Sequence, residues 1–560
     1  MFLFSATGLA SRGADPGTPG ADSELIRRLE QIVRDELQRG LISGVSLALV
    51  EDQRIVYTHG FGWADKKRQQ PARPDTIYRA GSISKLFTAL AAMQLAEQGT
   101  LDIDQPVTRY LPTLGVVSPF PDAGPMTLRQ LMCHRSGLVR EAPVGGYFDD
   151  SEPGTGRTVR SLSGCVLVHP PGRETKYSNS GVTLVGQVVE SVSGLSFPDY
   201  QRRRLLGPLG MDSSAFLMNR ALRPRLAKGY LPVADGQGGF REVEAPPFEL
   251  GTIPAGNLYT TAEDLARFLT FLFAQGRMAG QPLIQTETLA RMFTPQLTQA
   301  TNGFGLGFSI GHVRGRKTVN HMGAVYGFTS LLSGMPAEKL GVVVLCNDDI
   351  VTGPVRKLAA AGLNLLRETR LGEPMPTPAA PATLSLDEFG AFAGDYESES
   401  WWAELRPADG LIQANLSGQR MTFRPVGPLQ FEAHGRVAHE SPVTFVRDAV
   451  GRVTGFTVLE QQFRRVDPAA VPDIPPAWRR FLGRYGPDFI PLLVTVKHGH
   501  LYAMTENEFD NRLWPLNRTV FKMPPGLYTG EHLVFQTDAR GRVHTAVLAN
   551  MPLKRRAPSP

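Results

Sequence analysis

Three short stretches of the chain carry residue types that could attack a carbonyl. The first is Ser82-Ile83-Ser84-Lys85, within "RAGSISKLFTALAAMQLAEQG". A serine is a weak nucleophile until a base takes its proton, and a lysine stripped of its own proton by burial can be that base. Gly81 precedes an unbroken helical run and Gly99 ends it, and residues three apart on a helix share a face. Ser82 and Lys85 are therefore expected to point the same way. Ser82 would sit in the first turn, where free N–H groups and the helix dipole favour a developing oxyanion. The second stretch is Tyr177-Ser178-Asn179 and the third is His321-Met322-Gly323. Each of the three patterns, S-x-x-K, Y-x-N and H-x-G, occurs once in the chain. Taken singly, a surface lysine, a packing tyrosine, a turn asparagine and a core histidine are the ordinary readings. Three unique motifs in this order are harder to dismiss.

A rival nucleophile is Ser309 in "GFSIG", which fits G-x-S-x-G. That motif works where a strand turns sharply into a helix. Here "HVRGRKTVNH" follows, and its Arg-Gly-Arg-Lys reads as a turn between strands. Ser309 is a decoy on this reading. His498-Gly499-His500 would put two imidazoles on one face of a strand, but without a third ligand they read as solvent-facing polar residues. No metal and no cofactor is expected.

The elements that must hold the three motifs are legible around them. "SELIRRLEQIVRDELQRG" is an amphipathic helix capped by Ser23, with Leu25, Ile26, Leu29, Ile32, Val33 and Leu37 on one face and Gly40 as its stop. "VSLALV" and "RIVYTHGFG" read as a hairpin, as do "FTSLLSGMP" and "LGVVVLCN" before the helix "PVRKLAAAGLNLLRE". Residues 24–368 thus open helix–strand–strand and close strand–strand–helix, which predicts an α+β domain, an antiparallel sheet covered by helices. A Pro-rich linker is expected over 369–385 and another over 468–477, with a small antiparallel β-barrel or sandwich after each, at 386–467 and 478–557. These two segments repeat each other. "FAGDY" matches "FLGRY" at an offset of 89, and "FVRDAVGRV" matches "FQTDARGRV" at an offset of 90.

At 560 residues the chain needs several cores. Its net charge of +6 is scattered rather than gathered in stripes, so nucleic acid is not an expected partner. Three distant cysteines argue against a disulfide scaffold or structural zinc. No run reaches the roughly 18 apolar residues that a membrane span requires. Residues 1–23 read as a tail and a signal remnant, which favours a periplasmic or secreted protein over a cytoplasmic one.

Together, Ser82-x-x-Lys85, Tyr177-x-Asn179 and His321-x-Gly323 resemble the three active-site motifs of the class C β-lactamase and penicillin-binding-protein superfamily. That superfamily includes D-aminopeptidases and family VIII carboxylesterases. "TLRQLMCHRSGL", "PGRETKYSNSG", "PAGNLYTTAEDLARFL" and "NGFGLGF" extend the likeness over residues 24–368. The resemblance implies a β-lactamase/DD-peptidase-like fold and an acyl-enzyme on Ser82. It implies that Lys85 and Tyr177 share the proton, and that Asn179 positions Lys85 and the substrate amide. It places His321 and Gly323 at the substrate, with the N–H groups of Ser82 and Ala324 as oxyanion hole. Two lipocalin-like barrels after such a domain look most like the D-aminopeptidases. The implied substrate is a small molecule, a short peptide or an ester, with a carboxylesterase, a β-lactamase or a slowly deacylating sensor as alternatives. A homo-oligomer stays open, as do ligand-binding, oligomerisation or lid roles for the barrels. Where many relatives carry Lys-Thr-Gly or Lys-Ser-Gly, this chain has His321-Met322-Gly323, which predicts weak selection for a carboxylate beside the scissile bond.

Overall fold

The strand pair near the start of the chain and the pair near residue 340 meet in one sheet. The computed structural model of the protein describes residues 21–234, 240–297 and 300–557. The elements that matter here are α1 (Ala21–Gln38), β1 (Gly44–Glu51), β2 (Arg54–Asp65), β3 (Gln70–Pro71), α2 (Ser84–Glu97) and α3 (Asn179–Ser193). They continue with α4 (Ala262–Phe273), β4 (Gly303–Phe304), β5 (Ser309–Val313), β6 (Arg316–Val325), β7 (Phe328–Met335), β8 (Leu340–Cys346) and α5 (Thr352–Leu371). The eight strands form one antiparallel sheet in the order β4-β5-β6-β7-β8-β1-β2-β3. The β8–β1 contact pairs Val45 with Cys346 and Glu51 with Leu340.

Helices cover both faces, so β1 and β8 are buried on both sides and read as continuous apolar runs rather than alternating ones. Leu47 and Leu49 of β1 join Val342 and Val344 of β8 in a core under α1 and α5. Ala48 and Val50 join Val343 and Leu345 in the larger core on the other face, which holds α2, α3 and α4. The first helix runs through Ser23, so Ser23 is inside it rather than its cap, and it buries Leu25, Leu29 and Val33. The proposed signal remnant lies almost wholly in residues 1–20, outside the described residues. Among the described residues, no helix is long and apolar enough to cross a membrane. Cys133, Cys165 and Cys346 are free and buried.

Beyond α5, eight strands from Gly394–Glu397 to Gln461–Arg465 form a closed barrel, sealed where Tyr396 pairs with Arg465. The following segment has the same meander in two sheets, one from Gly483–Tyr485 to Asp510–Arg512 and one from Trp514–Pro515 to Met551–Lys554. The split falls at buried Leu513, between Asp510–Arg512 and Trp514–Pro515. A bridge from Tyr485 to Arg555 matches the seal of the first copy. One core runs through both sheets, from Phe481 and Leu501 to Phe535 and Leu553.

The expectation for His498-Gly499-His500 needs correction. His498 (φ 45°) and Gly499 (φ 74°) form the turn between the strands Leu492–Lys497 and His500–Met504, so the two histidines do not lie on one strand. Left-handed φ at both positions suits the tight hairpin turn that matches strand twist. Among the described residues, no cluster of three or more His, Cys, Asp or Glu could hold a metal.

Candidate active site

Ser82 lies in a 3-10 turn, Gly81–Ile83, that feeds α2 at Ser84. The tighter winding eclipses side chains three apart, which strengthens the Ser82–Lys85 alignment expected from a plain helix. Ser84 holds the turn: its hydroxyl donates to Gly81 O at 2.6 Å and accepts from Leu258 N at 2.9 Å. α2 is buried on every side from Ser84 to Leu95, so Lys85 is a core lysine with 1% of its surface exposed. Its Nζ lies 2.9 Å from Ser82 Oγ and donates to Ala255 O at 2.7 Å. Burial pushes the Lys85 ammonium well below its usual range, which favours the free amine; Glu141 opposes this and Arg140 adds to it.

Tyr177 precedes α3, whose cap is Ser178, accepting from Gly181 N at 2.9 Å. Ser178 Oγ also donates to Val139 O at 2.7 Å, tying this turn to the chain at 139–141. The Tyr177 ring stacks on His134 with centroids 4.2 Å apart, and Lys85 Nζ is 4.9 Å from its centre. Burial raises the Tyr177 phenol to about 12, against a hydrogen bond with Ser82 and the charge of Arg140. Burial thus favours the neutral form of both Lys85 and Tyr177. Asn179 opens α3, but its Nδ2 donates to Glu141 Oε1, while Lys85 is held between Ser82 and the Ala255 carbonyl.

The third motif comes from β6, which runs past the Ser82 turn. The approach explains two glycines: a Cβ on Gly323 would sit 2.0 Å from Ala80 O, and one on Gly81 (φ +53°) would sit 2.9 Å from Ala324 N. Ala324 N is therefore brought beside the turn that carries Ser82. His321 is buried, and its Nδ1 lies 2.7 Å from Met322 O, which can only accept, so Nδ1 carries the hydrogen. Its Nε2 is left as a buried lone pair without a partner. Burial, with the nearby charge of Lys85, pushes His321 down to about 3, so it stays uncharged. Ser309 lies on β5 beside Asn320, and β5 turns into β6 rather than a helix, so GFSIG is no nucleophile elbow.

Ser82, Tyr177, His321, Gly323 and Ala324 border one cavity of about 670 Å³. Lys85 and Asn179 are buried and do not line it. Its apolar wall includes Tyr147, Phe304, Met322, Leu331, Ile350 and Leu527. Sequence reasoning missed Arg140, Glu141 and Ala255, although the first two sit just beyond the quoted "TLRQLMCHRSGL". It also missed that Glu506, Asn507 and Leu527, from the second C-terminal copy, complete the wall.

Residues 29–367 match the model of the Beta-lactamase family. The chain belongs to that family. Its fold is β-lactamase/penicillin-binding-protein-like, an antiparallel sheet covered by helices. "Protein flp" of Staphylococcus aureus (strain MRSA252) is 26% identical over 326 residues, 57% of this chain and 62% of that protein. The chain therefore spans about three fifths of that relative's length. "Putative beta-lactamase-like 1" of Homo sapiens is 27% identical over 486 residues, 84% of this chain and 90% of that protein. Among solved structures, D-amino acid amidase from Ochrobactrum anthropi SV3, complexed with L-phenylalanine amide, matches at a TM-score of 0.52 and 25% identity, over 62% of this chain and 99% of that one. The octameric penicillin-binding protein homologue from Pyrococcus abyssi shares the fold at a TM-score of 0.56 and 24% identity, over 78% of this chain and 99% of that one.

Proposed function

We propose that the protein is a serine hydrolase that opens an amide or ester bond through an acyl-enzyme on Ser82. The observation that carries this is the buried amine of Lys85, 2.9 Å from Ser82 Oγ. As Ser82 attacks the carbonyl, neutral Lys85 takes its proton. Tyr177, hydrogen-bonded to the same serine and held protonated by burial, relays a proton to the leaving group. The N–H groups of Ser82 and Ala324 receive the oxyanion, and His321 borders the bound substrate. Asn179 acts on Lys85 through Glu141 rather than by direct contact.

The favoured substrate is a short peptide or amide of the kind D-aminopeptidases cleave, because two barrel-like copies follow the catalytic part and a D-amino acid amidase is among the similar structures. A carboxylesterase is the second reading, and the apolar wall and uncharged His321 favour it. The same neutral histidine argues against efficient penicillin turnover.

The test is intact-mass spectrometry after exposure to a fluorophosphonate probe. Label is expected on wild type and Ser309→Ala, and its loss in Ser82→Ala. Loss in Ser309→Ala alone would overturn the nucleophile. With p-nitrophenyl butyrate, continued release after the first equivalent marks turnover, whereas a single burst marks a sensor that stays acylated.

A further inference from the structure

Two buried basic residues, Arg140 against the Tyr177 ring and Lys176 next to Tyr177 in the chain, take counter-charge from the far end of the sequence. Arg140 is 7% exposed in its side chain, and its guanidinium stands 5.6 Å from the centre of the Tyr177 ring. Its Nε donates to Glu506 Oε1 at 3.0 Å and lies 3.6 Å from Glu141 Oε1. Tyr528 Oη donates to the other oxygen of Glu506 at 2.9 Å, so that carboxylate is held at both ends. Lys176, the neighbour of Tyr177, is 2% exposed, with Nζ 2.5 Å from Glu531 Oε1. Glu531 Oε1 also accepts Arg140 N–H at 2.9 Å.

The catalytic part itself offers Glu141 to this cluster. Lys85, Arg140 and Lys176 all lie around it, so one local carboxylate faces three buried amine or guanidinium groups. A buried cation without a partner is strongly unfavourable, and the missing anions come from Glu506 and Glu531 of the second C-terminal copy. We propose that Glu506 and Glu531 are positioning residues of the active site, completing its charge balance from another part of the chain by holding Arg140 and Lys176 beside Tyr177. The catalytic consequence rests on the reading of Ser82 as nucleophile.

That consequence has a definite sign. Around Ser82 the groups that face one another are Lys85 on α2, Tyr177 and Asn179 at the start of α3, His321 on β6, and His134, Arg140 and Glu141 from the chain between, while Asp349 and Arg356 border the same cavity. His134 and His321 are kept uncharged by burial. Arg140 already lowers Lys85 and Tyr177, while Glu506 raises Glu141. In Glu506→Gln the hydrogen-bonding shape survives but the negative charge is gone. The uncompensated guanidinium then disfavours protonation of Lys85, Tyr177 and Glu141 alike. The acid limb of the Ser82 reaction moves to lower pH, by about one unit for one charge lost from a buried cluster.

The experiment measures the rate of fluorophosphonate labelling against pH in the full-length protein, for wild type, Glu506→Gln, Glu531→Gln and the exposed control Glu460→Gln. Expected are a limb about one unit lower in Glu506→Gln, a smaller shift in the same direction in Glu531→Gln, and none in the control. A limb that stays in place while the plateau rate falls, or one that moves upward, overturns the proposal and leaves these residues as mere packing. Urea unfolding of Lys176→Met, Glu531→Gln and the double variant supplies a second arm that needs no catalysis. Each single change is expected to destabilise and the double to cost less than their sum; strict additivity overturns the pairing. If wild type takes no label at any pH, it is the Ser82 reading that falls, and the unfolding cycle alone decides the charge pairing.

Discussion

The two C-terminal copies share their closing hardware and differ in their loops. In the first, Tyr396 Oη donates to Phe392 O at 2.9 Å; in the second, Tyr485 Oη donates to Phe481 O at 2.8 Å. Arg465 reaches the carbonyls of Ala391, Ala393 and Val453, and Arg555 reaches those of Arg480, Leu482 and Val543. Asp448 clasps Arg452 across a turn as Asp538 clasps Arg542. The divergence lies between strands. Ser417-Gly418 makes a tight turn in the first copy, where Thr505–Phe509 stands in the second. Residues 436–440 correspond to the longer stretch 523–531. Those two longer loops carry Glu506, Leu527, Tyr528 and Glu531 to the active site. A duplicated scaffold keeps what closes it; both copies touch the β-lactamase-like part, the first through Arg436 and Val437, and loop length decides which one reaches the cavity at Ser82.

The largest effect should come from erasing that difference. Replacing Thr505–Phe509 by Ser-Gly removes Glu506 with its loop and breaks the Arg140 pair, at about 3–5 kcal/mol. Ser82 labelling is expected to fall by more than about a hundredfold, as for reacting groups misplaced by an ångström. A graft that labels at the wild-type rate would mean the loop is a spectator.

The shared hardware predicts equal stability effects with unequal catalytic ones. Arg465→Ala and Arg555→Ala each remove a charged donor from three carbonyls, and each is expected to cost about 2–3 kcal/mol in urea unfolding. Labelling should slow in Arg555→Ala alone. The smallest effect belongs to the tyrosines. Tyr396→Phe and Tyr485→Phe each delete one hydrogen bond, worth about 1 kcal/mol. A large gap between the two would show that the copies do not close in the same way.

Much of the fold was legible because it rests on local patterns. The opening and closing hairpins, their helices and the offset of 90 between "FVRDAVGRV" and "FQTDARGRV" all follow from periodicity and turn residues. The site was legible where motif spacing maps onto backbone geometry: Ser82 and Lys85 share a face, and Gly323 allows the approach of β6 to Ala80. The character of Lys85 was not legible. A lysine three residues from a serine is ordinarily solvated, and only the packing of α2 on every side makes it a buried amine. His498 was misplaced because alternation cannot distinguish a two-residue turn from the strand it joins.

The sequence by itself determined which residues stand at fixed short separations, and so the pairing of Ser82 with Lys85 and the glycine at 323 that lets the strand approach, because helix and strand geometry convert spacing into direction. The tertiary structure alone decided that Arg140 and Lys176 are answered by Glu506 and Glu531, more than 350 residues away in the chain. Charge pairing across such separations depends on which surfaces the fold presses together, and no local pattern records that.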